Sequence, residues 1–137
     1  MLMKVICIKN TAKDLDLKEV TCVLSHEYRF GLIIGREYLV MGIITYKDSR
    51  CLYYLIDDDY APFWYPYLLF EIRNNKLPAD WYVQVPGSHT HSQIYSLIGF
   101  EELCNQSSFH DALLEREEYA LQIYYKRKAE IFDDYFG

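Results

Sequence analysis

Apolar and polar positions alternate in short runs through the first part of the chain and change to a helical spacing towards its end. Met3 to Ile8 is an apolar run rich in β-formers and predicts a first strand. Asn10 to Lys18 is polar and turn-like, and Val20 to Leu24 predicts a second strand bounded by Ser25. After Phe30-Gly31-Leu32 and Gly35-Arg36-Glu37, the residues Tyr38 to Tyr46 read as one strand. A polar turn, Lys47-Asp48-Ser49-Arg50, leads into a further strand over Cys51 to Ile56, so this pair predicts a hairpin. Asp57 to Tyr60 reads as a tight acidic turn. Pro62 and Pro66 follow, each removing a ladder donor, so this stretch is expected as a loop or edge segment. Leu68 to Ile72 predicts a short strand, Arg73 to Lys76 a turn, and Asp80 to Val85 a last strand closed by Pro86-Gly87.

The pattern then changes. Ser88 to Gln93 is a polar connector, and Ile94 to Cys104 is expected as short helix or mixed structure. Ser107 or Ser108 is placed to cap a helix, with Asp111 in its first turn. His110 to Phe132 contains no Gly or Pro and predicts one long helix, with fraying beyond Asp133. Phe109, Leu113, Ala120, Tyr124 and Ile131 form one apolar seam, with Leu114, Leu121, Tyr125 and Phe132 beside it. A stripe this wide covers a sheet face or meets another helix.

These elements predict an α+β fold in a single domain spanning residues 1–137. Residues 1–87 form a small, partly open antiparallel β-barrel, and residues 94–133 a helical extension packed on it. Strands first and helices last argue against a βαβ dinucleotide-binding fold. A chain of 137 residues is long enough to bury roughly two-thirds of its unfolded surface.

The net charge of -6 argues against a general phosphate-backbone binder, which needs clustered Lys and Arg, and so against nucleic acid as the partner. It suits a basic partner, or serves solubility. The most basic run, Lys126-Arg127-Lys128, is expected to splay around a helix rather than form one patch. Fourteen tyrosines supply rings that are apolar along their bodies and wet at their tips, as binding surfaces are, though an amphipathic core edge uses them equally. Cys7, Cys22, Cys51 and Cys104 lack any CxxC pair, which does not resemble a zinc site; the first three sit among apolar residues and read as small buried hydrophobes. Met1 to Lys9 lacks a signal-peptide pattern, and no run of about 18 apolar residues is present, so a cytoplasmic location without a membrane span is expected.

Candidate chemistry is sparse. His89 and His91 would share a face in a strand, but no third ligand stands at a characteristic spacing, and an exposed loop is the plainer reading. Asp57, Asp58 and Asp59 have the oxygen ligands a divalent cation wants, yet lack the calcium-loop pattern; a solvated turn or a protein-docking surface accounts for them as well. No local signature supports Cys-His or Ser-His nucleophilic catalysis, including Ser25-His26 and Ser92. Gly31, Gly35 and Gly42 read as bulges or bends rather than a phosphate loop. Trp81, after Leu77-Pro78, is expected as a core plug, and Trp64, between prolines and beside the acidic turn, is expected to be exposed. No catalytic residue, cofactor or metal ligand is assigned.

One resemblance extends this reading. Phe30-Gly31-Leu32, Gly35 to Ile43, Tyr54 to Asp59, Pro66 to Ile72 and Leu77-Pro78-Ala79-Asp80-Trp81 together resemble small SH3-like β-barrel proteins of bacteria. Some of those are immunity proteins of contact-dependent toxin–immunity systems. The resemblance implies a non-catalytic toxin inhibitor, in which an acidic, aromatic surface neutralises a basic toxin domain, a nuclease by expectation. On that reading Asp57, Asp58 and Asp59 pair with toxin Lys or Arg, and Tyr60, Trp64 and Tyr65 supply the desolvated anchors. Two alternatives stand beside it: an adaptor or regulatory barrel that binds a peptide or host protein, with the long helix forming a homodimer, and a metal-dependent hydrolase.

Overall fold

The computed structural model describes residues 2–11, 29–47, 51–58, 61–85, 94–106 and 108–136, with side chains up to 132. Its strands are β1 (Lys4–Cys7), β2 (Glu37–Leu39), β3 (Gly42–Tyr46), β4 (Leu52–Asp57), β5 (Pro62–Pro66), β6 (Phe70–Asn74), β7 (Tyr82–Gln84) and β8 (Ile94–Gly99). A 3-10 turn, Tyr67–Leu69, precedes β6. The helices are α1 (Glu101–Asn105), α2 (Phe109–Leu114) and α3 (Glu118–Phe136). The α+β class therefore holds. The strands form two antiparallel sheets, ordered β2-β1-β6 and β5-β4-β3-β8-β7, and these do not close into a barrel.

Two expectations are corrected by this topology, and a third takes a definite form. The run Tyr38 to Tyr46 is two strands, one in each sheet. The chain crosses between them at Val40 and Met41, both fully buried. The Val40 amide donates to the Met3 carbonyl at 2.9 Å and the Met41 amide to the Leu55 carbonyl at 2.8 Å, so each sheet takes one of the two. Burial without turn residues hides the switch from the sequence. Ile94 to Cys104, expected as short helix or mixed structure, is mixed: Ile94–Gly99 is β8, which lies between β3 and β7, and Glu101–Asn105 is α1. The long helix is broken at Glu115 to Glu117 into α2 and α3. The expected strand at Val20 to Leu24 lies outside the described residues.

Other expectations hold. The β3–β4 hairpin pairs Gly42 with Leu55 and Thr45 with Leu52. The proline-flanked segment is β5, an edge strand. All five residues of the first helical seam are buried, although two helices rather than one carry them. In the second seam Leu114 and Tyr125 are exposed, while Leu121 and Phe132 pack on the core.

Register explains how the layers meet. Gly42, Leu55 and Trp64 face each other across β3, β4 and β5, and Gly99 pairs with Gly42 from β8. Side chains opposite one another share a sheet face, so this row forms the face covered by helices. Trp64 stacks on His110 of α2 at 5.9 Å, and Phe100 meets Phe109 at 5.6 Å and Tyr124 at 6.3 Å. Gly42 and Gly99 make room for Leu103 of α1. A Cβ built on either glycine would lie 2.7 or 2.6 Å from the Leu103 Cδ2. Gly42 therefore serves a close approach rather than the expected bend, whereas Gly35, at φ +90°, does sit in a turn. On the opposite face Tyr54 meets Phe70 of β6 at 5.9 Å, joining the two sheets.

Candidate interaction site

Strand β4 ends on Asp57 and Asp58 follows it directly, and the two carboxylates go to different partners. Asp57 belongs to the helix-covered face with Tyr53 and Leu55. Its Oδ1 accepts from the Lys128 Nζ at 2.7 Å and from the Tyr124 hydroxyl at 2.9 Å, and its Oδ2 accepts from the same Nζ at 2.9 Å. Tyr124 is fully buried, and burial first, then the neighbouring Asp57 carboxylate, pushes its phenol well above the ordinary range. Asp57 is thus a tie between β4 and α3, held inside the molecule.

Asp58 takes the other direction. Its Oδ2 accepts from the Tyr65 hydroxyl at 2.8 Å, and its Oδ1 from the Ala61 amide at 3.4 Å. A Cβ on Gly31 would stand 2.9 Å from the Asp58 Oδ2, so the absent side chain is what lets the carboxylate sit against that backbone. Tyr65 is positioned by Phe30 and Phe63, with ring centroids 6.1 and 5.8 Å away. Asp59 and Tyr60 lie outside the described residues.

The aromatic expectations change accordingly. Trp64, expected to be exposed, is 6% exposed, because prolines at its flanks keep β5 at the sheet edge without turning its inward face to water. Tyr65 is 4% exposed, its ring inside and its hydroxyl on Asp58. The exposed aromatic of β5 is Phe63, at 49%. Trp81 is partly buried against the core.

The residues that complete the site come from the helix break. Glu115, Arg116 and Glu117 end α2 in a left-handed turn. The Arg116 amide donates to the Leu113 carbonyl at 3.1 Å, and the Glu117 amide to the Ala112 carbonyl at 3.0 Å. This is a Schellman closure, and its left-handed position, normally glycine, is Arg116 at φ +61°. Asp111, Leu114, Glu115, Arg116, Glu117, Glu118 and Tyr119 are all exposed around this corner. The sequence carried a signal for it: four residues after Leu113 the buried seam meets Glu117, inside the charged run Glu115 to Glu118.

The corner and the strand edge adjoin. Gly31, Asp58, Ala61, Phe63, Tyr65 and Arg116 line one cleft of about 160 Å³. Asp111, Glu115, Glu117 and Glu118 are exposed on the corner with Leu114 and Tyr119, and partly buried Asp58 and exposed Phe63 meet Arg116 at the cleft.

Elsewhere, ionisable groups are engaged in holding helices. Arg127 of α3 grips Glu102 of α1 with both Nε and Nη2, at 2.8 and 2.9 Å, and also reaches Glu130 at 3.2 Å. The guanidinium holds the Glu102 carboxyl below its usual range. Lys126 is exposed, while Arg127 and Lys128 go to different carboxylates, so the three cations do splay. Cys7, Cys51 and Cys104 are buried, and Cys22 lies outside the described residues. The Cys104 Sγ faces the carbonyls of Tyr82, Leu97 and Gly99, and burial pushes its thiol up to about 11. Among the described residues no three His, Cys, Asp or Glu side chains converge as a metal site, and no helix is long and apolar enough to cross a membrane. His89 and His91 lie outside the described residues. No protein-family model, curated protein or solved structure matches the chain.

Proposed function

We propose that the protein is a non-catalytic, cytoplasmic binding protein of the immunity type, which neutralises a basic toxin domain by covering it with an acidic, partly apolar surface. The observation that carries this is the α2–α3 corner. It exposes Asp111, Glu115, Glu117 and Glu118 beside Arg116, which lines one cleft with Asp58. Phe63, Leu114 and Tyr119 are exposed on the same elements, which supplies the mixture a docking surface needs: charge for encounter, apolar anchors for residence. Residues 30–83 resemble small SH3-like β-barrel proteins of bacteria, some of which are immunity proteins, and that likeness of sequence suits the same reading although the two sheets here do not close into a barrel.

Relative to the surface expected from sequence, the proposed contact region moves. Asp57, Trp64 and Tyr65 are given to internal packing, and Asp58 is kept. A test uses the full chain as bait in lysate of its native organism, beside a variant carrying Glu115→Lys, Glu117→Lys and Glu118→Lys. Capture of a basic protein by the unaltered chain alone, released as salt rises and inhibited by adding the chain back, is expected. Equal capture by the reversed-charge variant would remove the corner from the interface.

A further inference from the structure

Helix α3 turns Ala120, Tyr124 and Ile131 to the core, so its opposite side faces water. That outer stripe is centred on exposed Gln122, with Glu118 one turn before it, Lys126 one turn after it and Ala129 beyond, all exposed. Tyr119 and Tyr125 flank Gln122, each three residues away, at 45% and 42% exposure. The ties of α3 to the rest of the molecule use other residues: Tyr124 and Lys128 go to Asp57, and Arg127 goes to Glu102. Glu118 accepts from the Gln122 side-chain amide of its own helix at 3.4 Å. Among the described residues neither Glu118 nor Lys126 forms an ion pair.

Read in reverse, the stripe repeats itself with the charge inverted. A twofold axis beside Gln122 that sets two copies of α3 antiparallel brings Gln122 level with Gln122, Glu118 level with Lys126, and Tyr119 level with Tyr125, because a helix rises evenly along its axis. Glu118 of one copy then receives the ammonium of Lys126 or the hydroxyl of Tyr125 from the other, and the Tyr119 ring offers its face to the same ammonium. Like charges stay apart, since the two Glu118 carboxylates stand about 12 Å from each other along the axis, as do the two Lys126 ammoniums. A parallel pair would instead set Glu118 on Glu118 and Lys126 on Lys126, so charge selects the antiparallel orientation. The tyrosines supply the amphipathic rings that interfaces favour. A helix of 19 residues is about 28 Å long. One such face buries less than the roughly 1,600 Å² of a standard interface, which sets a weak affinity, Kd roughly 0.1 mM.

We propose that the outer face of α3 binds a second copy of the chain, antiparallel about Gln122. The inference does not rest on the toxin-binding reading and is tested on the isolated chain. Glu118 and Tyr119 belong to both surfaces, so this dimer and a partner bound at the corner exclude each other.

Sedimentation velocity of the full chain, from about 10 µM to about 1 mM, is expected to show monomer passing into dimer, and less dimer as salt rises. Glu118→Lys and Lys126→Glu are each expected to weaken association at least about tenfold, and the variant carrying both to recover most of it, because opposite charges meet again. Gln122→Lys sets two cations at the axis on an exposed position, so it is expected to fold and to stay monomeric. A chain that is monomeric at about 1 mM overturns the proposal and leaves the face to a different partner. So does a dimer indifferent to Gln122→Lys, or a double variant that associates no better than the single ones.

Discussion

Replacing Asp57 with Ala should be among the most damaging single changes near the acidic run, although that run looks like a surface turn in the sequence. The carboxylate accepts from Lys128 at 2.7 and 2.9 Å and from the Tyr124 hydroxyl at 2.9 Å. Its own side chain is 13% exposed and that of Lys128 is 23% exposed. Removing one partner of a buried ion pair costs about 3–5 kcal/mol, because the other charge stays desolvated. Partial access of water to Lys128 places this case near the lower end. The fully buried Tyr124 hydroxyl also loses its acceptor, which adds about 1 kcal/mol. The expected loss is therefore about 3–4 kcal/mol, out of a typical total of about 5–15. For a 137-residue domain that lowers Tm by roughly 10 °C. Urea unfolding of Asp57→Ala, Lys128→Met and the double variant gives the magnitude and the coupling, with m expected unchanged. A loss below about 1 kcal/mol for Asp57→Ala, or additive single losses, would refute the internal tie. Either result would return Asp57 to the surface role that the sequence suggests.

Three further outcomes are expected. Arg116→Gly should raise stability by about 0.5–1 kcal/mol in the same urea assay, since relief of the left-handed strain exceeds the added chain entropy of glycine; a loss would mean that the Arg116 side chain contributes more to the fold than its conformation costs. Gly42→Ala should destabilise by about 1–3 kcal/mol, because its Cβ would press on Leu103 Cδ2 at 2.7 Å and on the Ile98 carbonyl at 3.3 Å, and trimming Leu103 to Ala in that background should recover part of the loss. Stability should also fall at alkaline pH. Folding raises the acid groups Tyr124 and Cys104, so the native state holds their protons more tightly than the unfolded chain does. That contribution is complete below the unfolded thiol value of about 9 and is lost as pH climbs through about 11 and beyond. Tm measured across this range should decline less steeply for Cys104→Ala, and an equal slope would assign the decline to other groups.

Much of the architecture is legible in the sequence because local chemistry enforces it. Pro62 and Pro66 confine their strand to an edge, and the turn after Tyr46 joins two β-rich runs. The seam from Phe109 to Ile131 is buried as its spacing requires. What escapes the sequence depends on partners far along the chain. The switch of sheets at Val40 and Met41 shows no Gly or Pro, because Met3 and Leu55 satisfy the two amides there. Strand β8 is set by pairing with β3 and β7 rather than by its own alternation. The three aspartates look equivalent as a composition, yet Asp57, the last residue of β4, goes to Lys128, and Asp58, just past it, goes to Tyr65. The absence of Gly and Pro from His110 to Phe132 suggests continuity, and a Schellman turn built on Arg116 breaks it. The corner is therefore the part of the candidate site least visible beforehand, although Glu117 on the apolar seam marks it.

The most direct test of the acidic corner as the working surface is the salt dependence of association with the captured basic partner. Association rates of the unaltered chain and of a Glu115→Gln, Glu117→Gln, Glu118→Gln variant would be measured from low to moderate ionic strength. A steep fall with salt for the unaltered chain and a flatter, slower profile for the variant are predicted, because the removed carboxylates steer the encounter. Superimposable profiles would contradict the assignment and place the binding surface elsewhere on the molecule.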